Sequence, residues 1–265
     1  MLFNDLWEKT SAYGVFSIDG HYFGLLSEKH WQELVLLAPR IDATVQDRQI
    51  ALPSQHQRPL MQTWYLLYQA LQEIHPNIRW RNRCSPLFAH HTNVFCGYID
   101  RSLLRYCGVQ SHCVRFWYGY QTSPQTYWLT QQRPLHKAIG PGLWDNTVAG
   151  LCKDKESPLE ALTREMQEEL ALTLPLSSIQ TYATTRCAYP IPDGIYHEVT
   201  SHTYYLHPRP HTLSMVTSEW LQQSYAPIEM ILTYPLLHRA RASLLLLQNY
   251  LQNITRKAKV FTQKT

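Results

Sequence analysis

Glu165, Glu168 and Glu169 fall within five residues of one another, and Arg164 directly precedes them. Their spacing acquires meaning if the segment is helical, and the helix signals are clear. Ser157 suits an N-cap, Pro158 suits the first helical position, and Glu160 stands three residues after Ser157, completing a capping box. On a helix that starts at Ser157, Leu159, Leu162, Met166 and Leu170 share a dry face, while Arg164, Glu165, Glu168 and Glu169 lie around the other. Residues three and four apart are helix neighbours, so the three carboxylates are expected to converge and to repel one another unless a cation neutralises them. Hard oxygen donors suit Mg2+ or Mn2+, and Mg2+ shares its shell among carboxylates, waters and substrate phosphate oxygens. A water on such an ion can be deprotonated near neutral pH, and the ion stabilises charge developing on phosphoryl oxygens. Hydrolysis of a phosphate compound is the chemistry indicated.

An acidic helix face is more often simply solvated, with Arg164 and Glu168 forming a surface pair of about a few tenths of a kcal/mol. The wider spacing decides against that. From Gly150 the chain reads G-x5-E-x7-R-E-U-x-E-E-x-A-U, with U aliphatic, Glu156 at the second fixed position and Leu172 at the last. Average residue usage would produce that pattern on the order of once in a million such chains.

The segment resembles the Nudix box, matching at Gly150, Glu156, Arg164, Glu165, Met166, Glu168, Glu169 and Leu172. The resemblance implies Mg2+ or Mn2+ held by Glu165, Glu168 and Glu169 with the backbone carbonyl of Gly150 nearby. It also implies that Glu165, Glu168 and Arg164 carry the catalysis, with Arg164 orienting the glutamates and Glu156 supporting it. Where the family usually has glycine this chain has Ala171, and a left-handed conformation there costs Ala roughly 1 kcal/mol relative to Gly. The implied fold is α/β, a Nudix α/β/α sandwich with a mixed sheet, preceded by a smaller α+β N-terminal domain.

The lead-in Gly142-Leu-Trp-Asp-Asn-Thr-Val-Ala-Gly150 looks like the L-D-N-x-V-A-G-G run of Nudix proteins related to thiamine pyrophosphokinase. Val15 to Leu25, Trp80 to Arg83, Phe95 to Ile99 and Asp193 to Glu198 look like further recurring pieces of that group. Leu151 replaces the second glycine, and a D-G-E-V segment expected after the last strands is absent. The resemblance implies cleavage of thiamine diphosphate, or an oxidised analogue, to the monophosphate and phosphate. Trp144 and Asn146 are the candidate substrate contacts. The box reads only a diphosphate and its metal, so a nucleoside diphosphate derivative as substrate stays open, as does a ligand-binding Nudix protein with weak turnover.

The elements that must position these residues can be read from punctuation and periodicity. Val15 to Leu25 reads as a hairpin about Asp19-Gly20. Helices are expected from Ser27, stopping before Pro39, and over Arg58 to Ile74 with Pro59 in the first turn. His91 to Ile99, Ser111 to Tyr120, Tyr127 to Leu129, Ser178 to Tyr189 and Glu198 to Leu206 read as strands, with a turn at Pro192-Asp193-Gly194. Leu236, Leu237, Ala240, Leu244, Leu247 and Leu251 share one face of a C-terminal helix expected to cap the sheet. The expected organisation is an accessory domain over 1–110, a Nudix domain over 111–252 and a basic tail over 253–265.

Composition bounds the rest. The chain has 265 residues, 45% of them hydrophobic, enough to build packed cores. Much of the +4 net charge sits at Arg256, Lys257, Lys259 and Lys264, and no basic stripe interleaved with aromatics appears, so no nucleic-acid partner is expected. Asp5, Glu8 and Lys9 interrupt the N-terminal apolar residues, and the longest aliphatic block is Leu244 to Leu247, so neither a signal peptide nor a membrane span is expected. Six cysteines without a C-x-x-C pair read as reduced, buried thiols in a cytoplasmic protein. The pairs His90-His91 and His197-Glu198 fit no zinc spacing, since adjacent strand residues point oppositely. The expected partner is a small-molecule diphosphate, and whether two copies pair as a homodimer is left open.

Overall fold

The structure, a computed structural model, describes residues 13–55, 57–89, 92, 94–137, 140–153, 156–191, 194–209, 213 and 220–262. The chain divides into two compact units. One comprises Met1–His112 with Cys152–Glu156 and Arg186–Val199, and the other comprises Cys113–Leu151, Ser157–Thr185 and Thr200–Thr265.

The first unit opens with β1 (Gly14–Ile18) and β2 (His21–Leu26), an antiparallel hairpin. Asp19 and Gly20, at φ 49° and 78°, supply the two positive-φ positions that a tight turn matching strand twist requires. Ser27 caps α1 (Glu28–Leu37), its Oγ accepting from His30 N at 3.3 Å. β3 (Thr44–Gln46) and β4 (Gln49–Ala51) complete a four-stranded sheet of order β2-β1-β4-β3, in which β1 and β4 run parallel. Helix α2 (Leu60–Ile74) starts two residues later than Arg58, and Pro59 is its N-cap rather than a first-turn residue. Trp64 of α2 is fully buried among Phe16, Phe23, Leu67 and Ile99, and its indole donates to Tyr98 O at 2.9 Å. β5 (Cys84–Phe88) and β6 (Phe95–Asp100) form a separate antiparallel pair. The expected strand thus begins at Phe95, and His90 and His91 lie outside the described residues.

The second unit is built on a seven-stranded sheet. β7 (Ser111–Thr122) and β8 (Gln125–Gln132) are its central antiparallel pair. β9 (Trp144–Asp145) pairs with β8, and β10 (Val148–Leu151) pairs with β7. After helix α3 (Pro158–Leu170), β11 (Gln180–Ile191) and β12 (Gly194–His207) extend one side, and β13 (Gln222–Ala226) closes the other, giving β11-β12-β7-β8-β13. Of the turn between β11 and β12, Pro192 and Asp193 lie outside the described residues. β10 and β13 escape sequence pattern reading because V-A-G-L is too short to show a period and Q-Q-S-Y-A is too polar. The short helix α4 (Ile228–Ile231) leads into α5 (His238–Thr262). Helix α5 continues well into the basic stretch expected to be a tail, because no Gly or Pro interrupts it and propagation is easy once a packed segment is nucleated.

Pleat and register place α3 and α5 on opposite faces of this sheet. Trp117 on β7 donates to Ser243 of α5 at 3.1 Å, so the face of Cys113, Arg115 and Trp117 looks toward α5. Val114 belongs to the other face, and Gly150 of β10 pairs directly with Val114. Glu165 of α3 lies against the Cα of Gly150 on that side. The order is therefore helix, sheet, helix. No disulfide joins the six cysteines, and no described helix is long and apolar enough to cross a membrane.

Candidate active site

Helix α3 is fixed at both ends. Ser157 Oγ accepts from Glu160 N at 3.3 Å, and Glu160 Oε2 accepts from Ser157 N at 2.7 Å, a closed capping box with Pro158 in the first turn. At the other end Ala171 adopts the left-handed conformation, φ 47° and ψ 32°, and its N–H reaches Gln167 O at 3.2 Å. The conformation demanded by the family glycine is retained with a β-carbon in place. Ala161, Leu162, Met166 and Leu170 are buried and set the helix rotation, which turns Arg164, Glu165 and Glu168 the other way.

A β-carbon on Gly150 would overlap the Cγ, Cδ and Oε1 atoms of Glu165. The glycine is therefore a steric requirement for seating this carboxylate against β10. Arg164 holds it from the side: Nη1 donates to Glu165 Oε1 at 2.7 Å, and Nη2 donates to the carbonyl of Leu151 at 3.0 Å. The guanidinium thereby ties α3 to the end of β10. The same Nη1 lies 3.5 Å from Glu168 Oε2, a longer contact to a side chain 55% exposed. Glu169, on a residue 6% exposed, accepts at Oε2 from the indole of Trp220 at 3.2 Å. Glu156 accepts from Lys153 N at 2.7 Å, which shapes the loop entering α3.

The carboxylates are close in sequence and share one helix, yet they do not form a ready-made cage. Among the described residues no three His, Cys, Asp or Glu side chains are gathered for a metal ion. The expected convergence is replaced by a division of partners, with Glu165 and Glu168 sharing Arg164 Nη1 and Glu169 taking the Trp220 indole. The donor set still fits a hard divalent cation. It supplies carboxylate oxygens and a backbone carbonyl next to a bare glycine, with no soft ligand among them.

The two lead-in residues are placed differently from one another. Trp144 is half-buried, its ring centroid 5.0 Å from that of Tyr234, and its backbone is anchored by Pro235 O and Leu237 N. Asn146 is fully buried, with its carboxamide 3.4 Å from Arg115 Nη1 and 3.2 Å from Ser243 Oγ. The expected substrate contact is thus an interior polar link between β9, β7 and α5. The reason is the break in the strand path between β9 and β10: Asn146 lies in that break, beside Arg115 and Trp117, which face α5, away from Gly150. A groove of about 400 Å3 lined by Gln125, Trp128, Ile228, Gln248, Leu251 and Arg256 contains no box residue.

Trp220, Ser243 and Arg115 escape sequence reasoning. Ser243 Oγ collects contacts from Trp117 Nε1 at 3.1 Å, His202 Nδ1 at 3.0 Å and Tyr182 OH at 3.0 Å, in addition to Asn146. Burial pushes the Tyr182 hydroxyl up, an effect partly offset by its bond to Ser243. The one available signal was a lone Ser on the apolar face of an otherwise leucine-rich helix.

Residues 119–245 match the family model described as NUDIX domain. Solved structures similar to the chain include the NUDIX domain of Shewanella oneidensis NrtR complexed with ADP ribose, at 19% identity and TM-score 0.45, covering 54% of this chain and 89% of that one. DR0079 from Deinococcus radiodurans is similar at 16% identity and TM-score 0.47, covering 61% and 96%. A binary complex of C. elegans Ap4A hydrolase is similar at 12% identity and TM-score 0.42, covering 54% and 98%. No curated protein matches the chain. Residues 119–245 thus fit the NUDIX domain model, and the helix–sheet–helix arrangement described above is the Nudix fold.

Proposed function

We propose that the protein is a divalent-metal-dependent diphosphatase whose centre is the α3–β10 junction. The observation that carries this reading is the seating of the Glu165 carboxylate on the bare Cα of Gly150 under the two-armed grip of Arg164. Glu165, Glu168 and Glu169 with the Gly150 carbonyl would hold Mg2+ or Mn2+. When bound, the cation supplies an acidified water and offsets charge developing on the diphosphate. Arg164 pairs with Glu165 and orients it, Glu168 presents an exposed carboxylate to the incoming polar groups, and Glu156 braces the loop that starts the helix.

The substrate proposed is thiamine diphosphate or an oxidised analogue, cleaved to the monophosphate and phosphate. Support for it is the Gly142–Gly150 lead-in and the Trp80–Arg83 and Phe95–Ile99 pieces in the sequence. Trp144, half-buried beside Tyr234, is the proposed aromatic neighbour for the ring system, and Asn146 acts behind it through packing. The proposed setting is the cytoplasm.

The test is phosphate release with Mg2+ or Mn2+ across thiamine diphosphate, oxythiamine diphosphate, ADP-ribose, NADH and nucleotides, with Glu168→Gln as control. Turnover of the thiamine compounds that vanishes in Glu168→Gln supports the whole reading. Preference for a nucleotide removes the thiamine assignment, and metal-independent turnover removes the site.

A further inference from the structure

We infer that Trp220, outside the box and just ahead of β13, is a positioning residue for Glu169. The inference rests on the metal-site reading above and deepens it. Glu169 is nearly buried, and the oxygens of a buried carboxylate need hydrogen-bond partners in place of water. Trp220 is itself 8% exposed, and its indole Nε1 donates to Glu169 Oε2 at 3.2 Å. The ring is not on a loose segment. The next residue, Leu221, donates through its backbone N to Gln132 O at 2.7 Å, and β13 then pairs with β8 from Gln222 onward.

The chemistry of this holder differs from that of Arg164. Arg164 neutralises the carboxylate it grips, whereas an indole N–H fixes the plane of a carboxylate and leaves its full negative charge for a cation. One neutral and one charged holder on nearby ligands therefore play complementary parts. Arg164 restrains Glu165 and relieves repulsion, and Trp220 aims Glu169. Partners behind a metal ligand commonly affect metal affinity by about 10–100-fold.

The experiment is Mn2+ binding without substrate, by titration of the full chain, for wild type, Glu169→Gln, Trp220→Phe and the double variant. Trp220→Phe keeps an aromatic ring and removes the N–H. The expected result is about tenfold or weaker Mn2+ binding in Trp220→Phe, with the double variant no weaker than Glu169→Gln alone. Unchanged binding in Trp220→Phe alongside weakened binding in Glu169→Gln overturns the role of Trp220 and leaves the metal site standing. Equal binding in wild type and Glu169→Gln overturns the metal-site reading itself.

Indole N–H resonances of the wild type give a second readout if Trp220→Phe fails to fold. The resonance displaced by Glu169→Gln is expected to move during Mg2+ titration. If Mg2+ moves a different indole or none, Trp220 does not report on Glu169 and the inference fails.

Discussion

The carboxylate of Glu165 lies where a β-carbon on Gly150 would have to be, so one strand residue and one helix residue are mutually exclusive in volume. Gly150→Ala must therefore push Glu165 off β10 or push α3 away from the sheet. Overpacking of this kind costs about 1–3 kcal/mol, and a displacement of about 1 Å at a reacting centre can cost about 100-fold in rate. A loss of about 100-fold in kcat/KM with a lowered melting temperature is expected from steady-state kinetics and thermal melts. Wild-type turnover in Gly150→Ala would refute the role given to this contact.

Arg164→Lys separates geometry from charge. The guanidinium spans Glu165 Oε1 and Leu151 O with two different nitrogens, and a single ammonium cannot reproduce that fork. A fall in kcat of about tenfold or more is expected from lost orientation, with melting temperature nearly unchanged. Full activity in the lysine variant would mean that only the positive charge matters.

Ala171 stands at φ 47°, and Ala171→Gly tests its strain. The left-handed region costs Ala about 1–2 kcal/mol, while glycine loses more backbone entropy on folding, by about 0.4–1 kcal/mol. The difference favours glycine by roughly 0.5–1 kcal/mol, a rise of about 1–4 °C for a chain of this size. Calorimetry that shows no rise would place the strain elsewhere.

Ser243→Ala strips one hydroxyl from four buried polar groups: Trp117, Asn146, Tyr182 and His202. Leaving buried donors without their acceptor costs about 1–3 kcal/mol. Urea denaturation should show a lower midpoint at unchanged m-value. An unchanged midpoint would mean that the cluster rearranges at no cost.

Acid should destabilise the first unit through His197. Burial, then the charges of Arg186 and His112, hold its pKa down at about 4, against an ordinary value of 6.5. The folded state therefore resists protonation that the unfolded chain accepts. The stability contributed is complete above pH 6.5 and is lost as pH falls from there toward about 4, by roughly 3 kcal/mol in total. His112 is shifted the same way by burial and Arg186, which steepens the decline. Melting temperature measured across that window should fall, and the fall should be shallower in His197→Gln. An equal slope in both proteins would assign the acid lability to other groups.

What the sequence alone determined is local. The box helix, its capping box and its dry stripe depend on contacts within a few residues, so periodicity and cap chemistry suffice to read them, while the left-handed end at Ala171 is implied by the resemblance to the Nudix box. The Asp19-Gly20 turn is legible for the same local reason. The tertiary structure alone decided how the carboxylates are partnered. Glu165 to Gly150 and Arg164 to Leu151 cross from helix to strand, and Glu169 to Trp220 spans 51 residues of sequence. It also decided that Asn146, in the break between β9 and β10, turns inward to Ser243, because a residue outside the strands has no assigned face until the chain around it is packed. Helical neighbours are dictated by a repeat of about 3.6 residues, whereas partners across a sheet are chosen by packing, and packing has no signature in the local sequence.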